Sequence, residues 1–279
     1  MLENQIISVE PVLRAGSFIG VLAVMLVLEA RWPRRARVQA RIARWRTNGA
    51  LVLLDTVLAR GVAFIAPLLA ATGAATWAQA HGIGLFNIVA LPALAEIVLA
   101  ALALDAAVWA QHVAFHRVPL FWRFHRVHHA DRDFDATTGF RFHPAEIVVS
   151  MIWKAVVVVV LGAPVVAVIV FEVLLNATAM FNHANVKLPA WLDRALRLVL
   201  VTPDMHRVHH SVRVEELNTN FGFCLSLWDR ASGLYRAQPQ DGHAAMTIGL
   251  EAHQDEAPAK LGWSLVFPWR RPEREGVDK

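Results

Sequence analysis

Three apolar stretches near the start of the chain, each long enough to cross a bilayer, restrict what it can fold into more than any other feature. The first covers residues 12–30, about the 20 residues a helix needs to traverse the hydrocarbon core. Further runs occupy residues 49–77 and 85–110. With 56% hydrophobic residues, 18% charged residues and a mean hydropathy of +0.41, the chain reads as an integral membrane protein rather than a soluble domain.

Charge then sets the topology. Arg31, Arg34, Arg35, Arg37, Arg41, Arg44 and Arg46 follow the first run, and short arginine-rich loops lie in the cytoplasm, which puts the N-terminus outside. The second run leads out, the uncharged turn at 78–84 stays out, and the third run returns to bring His112 to the cytoplasmic face. Residues 147–181 are too many for one crossing and few for two, and Gly162, Ala163 and Pro164 interrupt them near the middle. A hairpin of two short helices fits, and it keeps the histidines on either side of it on one membrane face. Residues 187–279 are more polar and form a cytoplasmic cap whose Trp-rich segment 261–269 suits the interface. The expected architecture is all-α, with four to five transmembrane helices and a histidine-rich helical cap. It divides into residues 1–110, a catalytic region 111–236 that includes the hairpin at about 147–181, and a C-terminal tail 237–279. No removable signal peptide is read at the N-terminus, and the basic balance reports topology rather than nucleic-acid binding. The bacterial inner membrane is the expected location.

Cys224 is the only cysteine, which excludes an intrachain disulfide framework and a thiolate-held iron–sulfur cluster. Thirteen histidines are present. Eight fall in three clusters: His112-Val-Ala-Phe-His116, His125-Arg-Val-His128-His129 and His206-Arg-Val-His209-His210. Residues i, i+3 and i+4 share a helix face, so each cluster can turn two or three imidazoles toward one point. Eight nitrogens exceed what one ion takes, so two metals are implied. The boxes contain neither Glu-x-x-His pairs nor the glutamate of HExxH, and imidazole alone does not choose among iron, zinc and copper. Alternatives at this point are a zinc hydrolase, a metal transporter using Glu96 and Glu172 within the apolar runs, and a haem protein. Ligating imidazoles need partners for their second nitrogen, and Asp105, His143, Glu146, Asp204 and Asn220 are the candidates. His81, His243 and His253 receive no role.

The order HxxxH, HxxHH, HxxHH, with the flanks His116-Arg-Val-Pro-Leu-Phe-Trp-Arg-Phe-His125, Arg141-Phe-His143-Pro-Ala-Glu146, Phe181-Asn-His183-Ala-Asn185 and Val201-Thr-Pro-Asp-Met-His206, resembles the fatty acid hydroxylase and sterol desaturase superfamily over roughly residues 105–235. The resemblance implies that His112, His116, His125, His128, His129, His206, His209 and His210 bind two irons that activate O2, with His183 as a further ligand. It implies hydroxylation or desaturation of a membrane lipid: a sterol, fatty acyl, sphingoid or ether lipid. The chain departs from the family at Trp109 and Val113, and in the late stretch Trp228-Asp-Arg-Ala-Ser-Gly-Leu-Tyr235. There is no nucleotide fingerprint after a strand, so electrons must come from a separate reductase or carrier, which the basic stretch after Arg31 could help to dock.

Overall fold

The computed structural model describes residues 2–271; Met1 and residues 272–279, the end of the C-terminal segment, lie outside them. The helices are α1 (Leu2–Arg31), α2 (Arg41–Ile65), α3 (Ala71–His81), α4 (Leu85–Ile88), α5 (Ala93–Arg117), α6 (Pro119–His129), α7 (Pro144–Leu161), α8 (Val165–Asn182), α9 (Ala190–Leu196), α10 (Pro203–His209), α11 (Val214–Leu217), α12 (Leu227–Ala231), α13 (Gly242–Ala245) and α14 (Leu261–Val266). Among the described residues the only β pairing is three isolated bridges. Among the described residues, five helices are long and apolar enough to cross a membrane: Ile6–Arg31, Arg41–Ile65, Ala93–Arg117, Pro144–Leu161 and Val165–Asn182. A helix satisfies its own backbone polar groups, which is what lets such segments face lipid. Their outward sides stay uncovered, as at Phe64 (88% exposed) and Ile65 (83%).

The run at 49–77 behaves differently from a single crossing. Helix α2 starts at Arg41, stops at Ile65, and the chain makes a 3-10 turn at Pro67–Leu69 before α3 resumes. Pro67 has no backbone N–H to continue the helix, so the break falls there. The first turns of α2 belong to the cap: Thr47 donates to the Ala259 carbonyl, Asn48 to Thr137, and Leu51 packs with Trp122, Val127 and Trp263.

Helices α7 and α8 form the expected hairpin. Gly162 ends α7 in a left-handed conformation (φ 61°), and Pro164 sets the start of α8. The tip is packed against Gly84, itself at φ 99°, where an added Cβ would stand 2.1 Å from the Gly162 nitrogen. Helix α8 is the centre of the bundle, packed against α1, α3, α5 and the turn at Thr138–Phe140. The arginine segment is consumed largely inside the fold. Arg34 bonds to Asp204, Arg35 to the Met246 carbonyl, Arg37 lies 3.8 Å from Glu29, and Arg44 is fully buried.

Gly84→Ala should lower the unfolding temperature in detergent, because it combines a strained φ with contact against the hairpin tip. The same change at Gly16, where a Cβ meets nothing, should leave it unmoved.

Candidate metal centre

Short-range rules bring the histidine boxes together. Helix α5 carries His112 and His116 one turn apart at its end, Val118 makes the turn, and Pro119 starts α6 with the φ a first helical residue needs. The last two turns of α6 present His125, His128 and His129. Thr202 caps α10 by accepting from the Met205 N–H, with Pro203 at the first position, so His206, His209 and His210 follow within two turns. His183 caps the C-terminus of α8.

The nine side chains, none more than 2% exposed, fall into two groups. His112, His116, His125, His129 and His209 form one; His128, His183, His206 and His210 form the other. Within each group the ligand nitrogens lie within 4.8 Å of one another. Each His-Arg-Val-His-His segment divides between them. The first sends its outer pair, His125 and His129, to the five-histidine group and His128 to the other; the second sends His206 and His210 to the four-histidine group and His209 across.

Hydrogen bonds at the far nitrogens fix the protons. A carbonyl can only accept, so His112 donates Nδ1–H to Phe221 (2.7 Å), His209 to Thr219 (2.8 Å) and His183 to Ala179 (2.7 Å). Their Nε2 atoms then carry lone pairs facing inward. His112 Nε2 and His209 Nε2 stand 3.1 Å apart with no proton between them, an arrangement that repels unless a cation accepts both. His125 Nε2 is 3.0 Å from His112 Nε2, and its Nδ1 faces Glu146 Oε1 at 2.7 Å. Among the described residues, the buried Nε2 atoms of His116 and His210 have no hydrogen-bond partner. The donor set therefore fits two metal ions, one per group. Burial holds the imidazoles of α6, α10 and His183 below their ordinary value of 6.5, His125 to about 3 and His183 to about 4. They are neutral and ligand-competent at physiological pH.

The candidates for supporting residues separate. Glu146 touches a histidine of the cluster. His143 caps α7 by accepting from Ala145 N–H, its Nε2 reaching toward the Leu265 carbonyl at 3.3 Å, so it anchors the chain rather than the site. Asp105, two turns before His112, instead accepts from Trp228 Nε1 and the Leu225 N–H. Asp204 pairs with Arg34 and Arg207. Asn220, held at φ 54°, bridges the Met205 and Arg236 carbonyls and braces the chain behind α10. Sequence reasoning missed Asp229, which accepts from Trp109 Nε1 and from the N–H groups of Phe221 and Gly222. It thereby fixes the carbonyl that orients His112, and Trp109, the departure from the family pattern, is part of that brace. Also missed was the buried network in which Arg44 grips both oxygens of Asp131 (2.6 and 2.7 Å) and bonds to Asp135 (2.7 Å). Burial alone would raise both carboxyls; Arg44 holds them below their ordinary value. These partners lie 87 and 91 positions apart, and only the repeated acids Asp131, Asp133 and Asp135 next to a histidine box hinted at them.

A cavity of about 170 Å³ opens beside His112 and His125, walled by Val108, Phe115, Phe142 and Leu175 between α5, α7 and α8. Gly139 lets the wall approach α8 closely, since a Cβ there would come within 2.7 Å of the Ala179 carbonyl.

Residues 97–233, which contain every one of these histidines, match the family described as fatty acid hydroxylase. This part of the chain belongs to that family. Among curated proteins, ornithine lipid hydroxylase OlsE of Rhizobium tropici is 29% identical over 150 residues, covering 53% of this chain and 44% of its own. Human alkylglycerol monooxygenase is 28% identical over 160 residues, covering 56% of this chain and 33% of its own. The matched stretch thus spans less than half the length of these two relatives. No solved structure matches the chain.

Glu146→Leu should weaken metal retention by roughly 10- to 100-fold, the usual effect of losing the partner that orients a ligating imidazole, as read by metal analysis after dialysis against a chelator. In the metal-free protein, histidines whose folded pKa is depressed protonate first in the unfolded chain. Stability should therefore be full above about pH 6.5 and fall as pH drops toward about 4, where folded His183 also protonates. Unfolding temperatures of chelator-treated protein across that range would show the decline; metal-loaded protein should resist it until the ligands are released.

Proposed function

We propose that this protein is a membrane-bound di-iron lipid monooxygenase that inserts one oxygen atom of O2 into a C–H bond of a lipid chain. The observation that carries the reading is the contact between carbonyl-locked His112 and His209, whose inward lone pairs call for a cation, beside a cavity walled largely by apolar side chains. The names of the relatives support lipid hydroxylation in preference to desaturation. His112, His116, His125, His129 and His209 would hold one iron, and His128, His183, His206 and His210 the other. Bound there, the irons supply reductive activation of O2 and the oxidation of an unactivated C–H bond.

The protein's part is to bind, orient and exclude water. The carbonyls of Phe221, Thr219 and Ala179 keep three ligands in one tautomer, and Glu146 does the same for His125. Val108, Phe115 and Leu175 give the acyl chain an apolar seat next to His112. For each turnover one oxygen enters the lipid and the other leaves as water, consuming two protons and two electrons from an external reductase or carrier. The arginine-rich segment 31–46, by the bias of such segments toward the cytoplasm, supports a site on that face, where such donors are found. Glu172, which a metal-transport reading requires as a ligand, is ion-paired with Arg14 and Lys154.

The test is a comparison of lipid mass profiles from cells expressing wild type and His128→Ala under oxygen-18 gas, with both proteins quantified in the membrane. A lipid that gains one labelled oxygen only with wild type is the expected result. Loss of two hydrogens without label would make the enzyme a desaturase, and full activity in His128→Ala would remove the ligand assignment.

A further inference from the structure

The cavity beside His112 does not end in hydrocarbon. Its far wall carries Ser150, Lys154 and Asn176, and these residues, with Ile147, also line a second, more open cavity of about 480 Å³ bordered by α1, α2, α3, α7 and α8. Five ionisable side chains border that second space: Glu10 and Arg14 of α1, Arg60 of α2, Lys154 of α7 and Glu172 of α8. All five sit on helices long and apolar enough to span the bilayer. Ionisable groups at that depth are costly and mark functional sites by default.

Four of the five answer one another. Arg14 bonds to Glu10 (2.6 Å) and to Glu172 (2.7 Å), and Lys154 also pairs with Glu172. Such a cluster could tie three helices together without any cavity. Arg60 is what structural pairing leaves over: it is exposed on the cavity wall, and among the described residues its side chain has no hydrogen bond or ion pair. Three cations face two carboxylates, a formal excess of one positive charge. An anion entering this space would neutralise Arg60 in a cavity that Lys154 also lines.

Distance relates the two cavities. Glu146, bonded to His125, and Lys154 are eight residues apart on α7, so about 12 Å separates their levels along the helix. From Lys154 to the hairpin tip at Gly162 is the same distance again. The polar space therefore lies midway along the hairpin, joined to the apolar seat through Ser150 and Asn176. One amphiphilic molecule can occupy both.

We propose that the second cavity is the seat for the polar end of the substrate, an acyl lipid carrying an anionic group, carboxylate or phosphate, with Arg60 and Lys154 as the residues that hold it. The span from Lys154 to His125 then selects which carbon reaches the metals. The role of the bound lipid as substrate rests on the monooxygenase reading; its binding does not.

The experiment is lipid retention by purified full-length protein in detergent, read by native mass spectrometry without turnover. The probes are dioleoylphosphatidylglycerol, N-oleoylglycine and uncharged dioleoylglycerol. Retention of either anionic probe over dioleoylglycerol is expected, and which one is kept assigns phosphate or carboxylate. Arg60→Gln, which breaks no side-chain hydrogen bond or ion pair, should lower that retention by about tenfold, while Arg60→Lys and Arg46→Gln, the latter an exposed cap residue, should match wild type. Equal retention of all three probes, or Arg60→Gln indistinguishable from wild type, would overturn the proposal even if cells show lipid oxidation. Arg60-dependent retention in a protein that oxidises no lipid would leave the binding site standing and remove the monooxygenase reading.

Discussion

Nine buried imidazoles turned inward, several with their protons fixed on the outward nitrogen, are the constraint around which the rest of the molecule is arranged. Packing that many ring nitrogens within a few ångströms is unfavourable in an apolar interior, since each loses water and few can donate to one another. The arrangement makes sense as two cation sites, and its economy lies in the repeated His-Arg-Val-His-His segment. On a helix the i and i+4 side chains point nearly together while i+3 lies on the flank. Two such helices facing each other can therefore each give a pair to one site and a single ligand to the other, which is what α6 and α10 do. The arrangement needs α10 on the same membrane face as α6, and the α7–α8 hairpin returns the chain there.

Holding these rings in place requires a cap with more buried charge than a small apolar core would tolerate. Arg44, Arg126, Arg141 and Arg207 are fully buried. Arg44 is matched by Asp131 and Asp135, and Arg141 spends its donors on the Val127 and Pro258 carbonyls, Asn48 and Ser264. Buried pairs of this kind seldom add much net stability, yet losing one member costs about 3–5 kcal/mol. They connect α2, the loop after α6 and the C-terminal segment near α14. Their consequence is geometric: the loop carrying Asp131 to Thr138 begins two residues after His129 and ends against α8 beside His183, so it fixes the spacing between the two groups.

The parts of this organisation that sequence made legible are those governed by local rules. Span length follows from bilayer thickness, and box spacing follows from helical period. Glu146 could be singled out because it closes a motif near His143. Asp105, placed by the same reasoning on the histidine face, turned out to serve Trp228 and Leu225, 120 and more positions away. Helical phase says which side a residue occupies, not which distant loop arrives there first. Asp229 was illegible for the converse reason: nothing near it in sequence is a ligand, and its importance arises only because Phe221 and Trp109 converge on it. The run at 49–77 misled through its hydropathy, which was continuous across Pro67, whereas the backbone could not be.

Bilayer dimensions then decide where chemistry can happen. The hairpin helices have 18 residues each, about 27 Å, close to the thickness of the hydrocarbon core. With the tip at one surface, Glu146 and Asn182 fall near the other, and the histidine groups sit at the boundary between lipid and cap. Under the proposed reaction, a lipid chain bound there would lie in hydrocarbon along most of its length while the polar cap shields the reacting end from water. A donor would then approach from the cap side and the lipid from the bilayer. Histidines placed at helix ends would keep these two approaches apart.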